Sequence, residues 1–423
     1  MRTLRYDAPS FATDLEQALQ TSSLFDPAVE QRTREVIDQV QAHGDEALVE
    51  LAKRFDGVDL TPDQLRLTVI PRPPSTALRA AIAAALVNVQ AFANRSLRSD
   101  WQRRNQQGGV VGEKFDPLQR VGVYIPGGTA PLVSTAVMTV GLAKVAGCRE
   151  IVVCTPPTRE LNHQLLYAIR TAGATEVYRV GGAQAIAALA LGTRTIRRVT
   201  KIFGPGNAYV TAAKRLLFGR VGIDLLSGPS ELLVIADRTA NPVFIAADLL
   251  AQAEHGSGHE RVWLVSTSQP IITETAAEIQ RQLPALQRSE FVRQAIAHNG
   301  VCVLVKNATQ AVHLTNRFAP EHLEIMTANP RAVAKRILTA GAIFLGPWSP
   351  TVVGDYLAGP SHELPTGGAG AFFGGLTVDQ FQRRTSVVEL SRAALEKSLP
   401  ALETFGQVEG LDAHVASARV RFR

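Results

Sequence analysis

One unit recurs through the middle of this chain: a short apolar run, a turn built on glycine, then an alanine-rich helical stretch. It stands in "EVYRVGGAQAIAALALG" (Glu176–Gly192) and again in "KIFGPGNAYVTAAKRLL" (Lys201–Leu217). "RVGVYIPGG" (Arg120–Gly128), "EIVVCTPP" (Glu150–Pro157) and "SELLVIAD" (Ser230–Asp237) are further apolar runs closed by glycine, proline or acid. Runs of this kind, apolar throughout rather than alternating, suit strands covered on both faces, and helices between them suit parallel crossovers. The fold class is therefore α/β with parallel sheets.

A second alternating set follows. "NPVFIAADLLAQAEHG" predicts a helix capped by Asn241, opened by Pro242 and ended at Gly256. "RVWLVST", "GVCVLVKN", "HLEIMT" and "GAIFLG" predict strands, with helices between them. A chain of 423 residues has room for two domains or more. The expected division is an N-terminal arm over 1–25, a first α/β domain from 26–118 plus 237–377, a second over 119–236 that carries the glycine turns, and a tail over 378–423. The stretch from Pro27 to Phe55 has helical spacing (Val29, Val36, Ile37, Val40, Leu48, Leu51) with Gly44 as its break, and a second helix spans about 74–98.

Composition narrows the setting. At 46% hydrophobic and 19% charged residues the chain can bury a sizeable core. The net charge of +6 is spread without a basic stripe, so no nucleic-acid partner is expected. Cys148, Cys154 and Cys302 are too few and too odd in number for a disulfide framework. "MRTLRYDAPSF" lacks an apolar signal core, and no uninterrupted apolar stretch reaches ~20 residues, so no membrane span is expected and the cytoplasm is the expected compartment.

Several segments carry side chains suited to chemistry. In "RFAPEHLEI" (Arg317–Ile325), Glu321 and His322 are neighbours just where a buried strand begins: a proton-transfer pair or a solvated loop edge. In "QAEH", Gln252 and His255 share a helix face and offer an amide oxygen and an imidazole nitrogen, although a His just before Gly256 equally suits a helix cap. "VVGDYLAGPSHELPTGG" is expected to place Asp355 and His362 on a loop beyond a strand end, where open α/β sheets hold ligands. "EGLDAH" brings Glu409 and His414 into a polar segment near the end. Oxygen and nitrogen donors of this kind suit zinc or a similar divalent ion. The turns "YIPGGTAP", "VGGAQAI" and "FGPGNAY" suit a pyrophosphate at a helix N-terminus, but none is the G-x-G-x-x-G fingerprint.

Taken in order, "VYIPGGTAPLVSTAVM", "GGAQAIAALA", "KIFGPGNAYVT", "SGPSELLVIAD", "AQAEHG", "RFAPEHLEI", "GDYLAGPSHELPTGG" and "EGLDAH" resemble histidinol dehydrogenase over nearly the whole chain. The resemblance implies two Rossmann-like, incompletely doubly wound domains and a homodimer that exchanges its C-terminal tails. It implies NAD, one zinc ion per subunit and L-histidinol as substrate. The implied zinc ligands are Gln252, His255, Asp355 and His414. The implied catalytic pair is Glu321 and His322, with Ser230, His362 and Glu409 joining His322 and the zinc ligands in contacting substrate. The implied cofactor contacts are Tyr124, Gln184 and Asn207. An imidazole with an ordinary pKa near neutrality suits removal of an alcohol proton, and a carboxylate beside it suits activation of water. Two other readings remain at this stage: a family member acting on another amino or sulfonated alcohol, and a zinc-dependent hydrolase using Glu321 and His322.

Overall fold

The apolar runs assemble two parallel sheets, seen in a computed structural model that describes residues 1–19, 26–127, 132–255 and 258–423. In chain order the strands are β1 (Arg2–Arg5), β2 (Trp101–Arg104), β3 (Val110–Pro117), β4 (Arg120–Tyr124), β5 (Glu150–Thr155), β6 (Glu176–Arg179), β7 (Lys201–Phe203), β8 (Gly222–Ile223), β9 (Glu231–Ala236), β10 (Arg261–Ser266), β11 (Gly300–Leu304), β12 (His322–Met326), β13 (Ala342–Leu345) and β14 (Gln382–Glu389). One sheet has the order β6-β5-β4-β7-β8, the other β1-β11-β10-β9-β12-β13, and both are wholly parallel. The chain enters the five-stranded sheet at the inner strand β4 and, apart from the edge strand β1, the six-stranded sheet at the inner strand β9; in each it winds outward on one side, then returns to the other. The winding reverses between β4 and β7 in the first sheet and between β9 and β12 in the second. Such reversals open a crevice at the strand ends.

Burial explains the runs. Every residue of β4, β9, β10 and β12 is buried. The five-stranded sheet is covered on one face by Ile82, Val89, Ala136, Val140 and Ile169, and on the other by Ile37, Leu48, Ile186, Leu189 and Val210. The six-stranded sheet is covered by Ile245, Leu249, Ile272 and Val292 on one face and by Leu314 and Phe318 on the other. Cys148, Cys154 and Cys302 are buried free thiols, Cys154 on β5 and Cys302 on β11. The Thr76–Ser96 helix is long and apolar enough by length and composition to cross a membrane, yet its Ile82, Leu86 and Val89 pack into the core of the five-stranded sheet.

The division expected from the sequence shifts in three places. Residues 2–5 are a strand, β1, paired along β11 at the edge of the six-stranded sheet, while the remainder of the expected arm beyond Leu19 lies outside the described residues. The helices Pro27–His43, Asp45–Leu51 and Thr76–Ser96 cover the five-stranded sheet, not the six-stranded one, because their apolar faces complete its two cores. β9, expected with the glycine-turn domain, is the centre of the six-stranded sheet, hydrogen-bonded between β10 and β12. The chain thus changes sheets before Glu231. The tail begins inside the core: Phe381 is fully buried and stacks on Phe203 with ring centroids 3.8 Å apart. β14 then runs antiparallel along β3, and the helices Arg392–Glu409 and Asp412–Arg419 pack on each other.

A charge cluster ties three strand starts together. Arg120, at the start of β4, meets Glu150 at 2.6 Å and Glu176 at 2.5 Å, the first residues of β5 and β6. The Arg120 hydrogen bond, with help from the Tyr178 hydroxyl against the cost of burial, draws Glu176 down to about 2. A carboxyl whose folded pKa lies below its unfolded value of 4.5 stabilises the fold fully above 4.5 and loses that contribution as pH falls towards 2. Glu176→Gln is therefore expected to cost roughly 2 kcal/mol at neutral pH after allowance for solvent screening. Parent and variant should converge in denaturant melts as pH drops from 4.5 towards 2; a gap unchanged over that range would refute the assignment.

Candidate active site

Glu321 and His322 stand at the amino end of β12, beside the amino end of β9 and at the winding reversal of the six-stranded sheet. Both are buried, at 5% and 3% exposure, so the solvated-edge reading fails. The backbone of Glu231 holds the pair. Its N–H donates to Glu321 Oε2 at 2.7 Å, and its carbonyl lies 3.1 Å from His322 Nδ1. That contact puts an imidazole proton on Nδ1 and aims Nε2 the other way, where Asp355 Oδ1 lies at 3.7 Å. Burial opposes the imidazolium, but the charge of Glu321 and then that of Asp355 outweigh it and raise His322 to about 9. The side chain of Glu231 pairs with Arg261 at 2.9 Å; burial pushes its carboxyl up to about 7 even so.

Asp355 and His362 arrive by a different route from the one expected. "TVVGDY" is a short helix, Thr351–Tyr356, not a strand end, because the Thr351 N–H at its start is taken by the buried Glu324 of β12 at 2.8 Å. His362 follows on a loop, its Nδ1 2.9 Å from the Asp355 carbonyl and its Nε2 3.2 Å from Thr135 Oγ1. Thr135 belongs to the Val133–Val145 helix, so the first turn of a helix on the five-stranded sheet reaches the site. Glu363 lies 3.4 Å from His362 Nε2 and, against the penalty of burial on the cation, raises the imidazole's pKa. A cavity of about 540 Å³ opens between these elements, lined by His322, Phe344, Trp348, Ser361 and His362. Ser230, the residue before β9, lies on the same amino edge and is half-buried.

Gln252 and His255 come at the end of the Pro242–Ala253 helix, which is capped by Asn241 and opened by Pro242 as expected; the expected stop at Gly256 lies outside the described residues. Gln252 is buried, and its amide nitrogen has no hydrogen-bond partner. His255 Nδ1 lies 3.1 Å from the Gln252 carbonyl, which leaves Nε2 its lone pair. The hydroxyl of Tyr356, the last residue of the short helix, is pushed up by burial, then by the charges of Asp355 and Glu254. An amide, an imidazole with a free lone pair and a carboxylate are donor types that fit zinc. Among the described residues no group of three or more His, Cys, Asp or Glu side chains is close enough to hold a metal by itself. The expected fourth donor, His414, and Glu409 are exposed on the tail's helical hairpin and are not brought to the site within one chain.

Tyr124, Gln184 and Asn207 each lie at or just beyond the carboxyl end of a strand of the five-stranded sheet. Tyr124 ends β4, and its hydroxyl accepts the Gly182 N–H at 3.1 Å, on the first turn of the Gly182–Leu191 helix. Gln184 folds back over Gly182, where a Cβ would come within 2.8 Å of its Oε1. Gly204, at φ +107°, lets the turn after β7 close against the Tyr124 carbonyl, which a Cβ would strike. Asn207 caps the Ala208–Leu217 helix through Oδ1, at 3.1 Å from Tyr209 N and 3.2 Å from Val210 N, and is exposed. All this lies at the winding reversal between β4 and β7. Gly128 of the "PGG" turn lies outside the described residues.

A family model for histidinol dehydrogenase matches residues 19–422. The chain belongs to the histidinol dehydrogenase family. It is 43% identical to the histidinol dehydrogenase of a Synechococcus species over 403 residues, covering 93% of this chain and 92% of the relative. It is 43% identical to that of Geobacillus kaustophilus over 407 residues, covering 94% and 95%. The crystal structure of histidinol dehydrogenase from Elizabethkingia anophelis superposes with a TM-score of 0.92 at 33% identity, covering 100% of this chain and 98% of that one.

Four residues that the structure brings to the candidate site carry no role in the sequence alone: Glu231, Thr135, Phe344 and Glu363. Glu231 acts through its backbone, which no residue type announces; Thr135 lies far along the chain from His362, which it meets, and Phe344 faces His322 from the neighbouring strand β13. Glu363, next to His362 in "SHEL", was the one with a visible signal, since it repeats the acid–imidazole juxtaposition of Glu321 and His322. The hydroxyl of Tyr124 supports Gly182 whether or not a cofactor is present. Tyr124→Phe should lower stability by about 1 kcal/mol in cofactor-free protein. An unchanged denaturation midpoint would count against this hydrogen bond.

Proposed function

We propose that this chain oxidises L-histidinol to L-histidine in two NAD-dependent steps through an aldehyde. Membership of the histidinol dehydrogenase family makes it an oxidoreductase of histidine biosynthesis. The observation that carries the finer reading is the buried Glu321–His322 pair, locked by one backbone and opening on a cavity whose other wall holds His362. When bound, zinc held by Gln252, His255, Asp355 and His414 would fix the substrate's nitrogens, and NAD would take up hydride.

The chain's own groups account for the protons. His322 Nε2 faces the cavity and takes the alcohol proton, while the Glu231 carbonyl holds the ring's other nitrogen. In the neutral imidazole the base is then on the substrate side. A pKa near 9 would keep His322 charged, and one of the two carboxylates behind that value is Asp355, the residue assigned to the metal. Engaging Asp355 elsewhere frees His322 to act as base nearer neutrality. Glu321 activates water for the second oxidation, its Oε2 already oriented by the Glu231 N–H. His362, held by the Asp355 carbonyl and Thr135, positions the substrate. Glu409 and His414 would come from a second subunit whose tail crosses over, with Ser230 completing the substrate contacts.

The first test is stoichiometric. Purified protein given L-histidinol should form two NADH per histidine and lose this on chelation; turnover of another alcohol with none on histidinol would overturn the substrate assignment. His322→Gln should reduce kcat by roughly 10²–10⁴-fold with little change in bound zinc. Tail exchange has its own readout: inactive His322→Gln and His414→Ala proteins, mixed after subunit dissociation, should regain activity, because one site of the hybrid dimer carries neither change. Mixtures that stay inactive would place His414 on its own subunit.

A further inference from the structure

One fully buried pair of opposite charges takes no part in the chemistry above. Lys214 and Asp224 have side chains only 2% and 3% exposed and form an ion pair. Lys214 lies on the inner face of the Ala208–Leu217 helix, and Asp224 directly follows β8. Taking both charges out of water is costly, and such a pair is more often neutral than stabilising compared with apolar residues of like size. Its place in the structure points to another role.

Both ions close on one residue, Gly204. Lys214 Nζ donates to the Gly204 carbonyl at 2.9 Å, and Asp224 Oδ2 accepts the Gly204 N–H at 2.7 Å. Gly204 opens the Gly-Pro-Gly-Asn turn, needs its φ of +107° and abuts the Tyr124 carbonyl. Each backbone polar group of this glycine is therefore fixed by a charge, and charge-assisted hydrogen bonds are about twice as strong as neutral ones. Asp224 is itself fixed, its N–H donating to the Ile202 carbonyl of β7 at 3.1 Å.

We propose that Lys214 and Asp224 are positioning residues that clamp the Gly204–Asn207 turn in the form that receives the dinucleotide. The clamp rests on the reading that Tyr124, Gln184 and Asn207 bind NAD. It also lies close to the substrate side: burial raises the Glu363 carboxyl, which His362 lowers, and Asp224 raises while Lys214 lowers it as well.

The test uses the metal-loaded protein and NAD itself, titrated by calorimetry, with steady-state kinetics alongside. Lys214→Met combined with Asp224→Leu removes both charges without stranding either. This double variant should weaken NAD binding on the order of tenfold, and raise the KM for NAD correspondingly, with the KM for histidinol and the zinc content unchanged. Asp224→Asn keeps an acceptor for the Gly204 N–H and should lose less, about threefold, as expected for a charge-assisted bond made neutral. NAD binding within twofold of the parent in the double variant, or in Asp224→Asn should the double variant not fold, overturns the clamp. A purely structural role would instead lower the melting temperature and leave the NAD affinity of the folded protein intact. Asn207→Ala serves as reference: if it weakens NAD binding and the double variant does not, the clamp alone falls; if neither does, the cofactor's location falls and the clamp with it.

Discussion

The centre of this molecule is the peptide backbone of Glu231. Its N–H and carbonyl flank the first residue of β9, the strand around which the six-stranded sheet is wound, and they engage Glu321 and His322 across the winding reversal. A backbone in the middle of a parallel sheet is among the stiffest elements a protein has. The orientation of the imidazole, the direction of the carboxylate and the position of the cavity mouth follow from it. The Arg261 pairing holds the same residue from the side of β10.

From that centre two opposite edges come together. The groups proposed to face substrate sit at the amino ends of β9 and β12, whereas those proposed to face the cofactor sit at the carboxyl ends of β4, β6 and β7. The usual rule for open sheets places ligands at carboxyl ends, and only the five-stranded half follows it. The other half supplies its chemistry from helix ends and strand beginnings. His362, resting on Thr135, is one contact through which the two meet; Asn88, donating to the Leu357 carbonyl at 2.8 Å, is another.

Much of this was legible in the sequence because it is local. Runs such as "ELLVIA" and the Asn-Pro start of "NPVFIAADLLAQA" declare buried strand and capped helix within a few residues. The glycine turns and the acid–imidazole neighbours were visible for the same reason. What depended on long-range pairing was not. The Thr76–Ser96 helix carries no mark of which sheet it covers, and the N-terminal strand β1 finds β11 some three hundred residues away. "TVVGD" reads as strand by its valines, yet Glu324, a buried carboxylate on another element, accepts the first N–H and a helix forms. The placement of Glu409 and His414 beyond reach in a single chain is likewise invisible to local pattern, since both lie in an ordinary helical hairpin.

The stacking of Phe381 on Phe203 joins matters that are far apart in the chain. Phe203 is the last residue of β7, Lys201 at its start donates to the Gln380 carbonyl at 3.1 Å, and Gly204 comes next. The root of the tail and the base of the Gly204–Asn207 turn therefore share a fulcrum three residues long. The hairpin beyond Glu389 can be handed to a neighbour while its root remains bolted to its own subunit's five-stranded sheet. Under the proposed exchange, the seam that anchors the tail lies one residue from Gly204, so the dimer contact and the turn share one foundation.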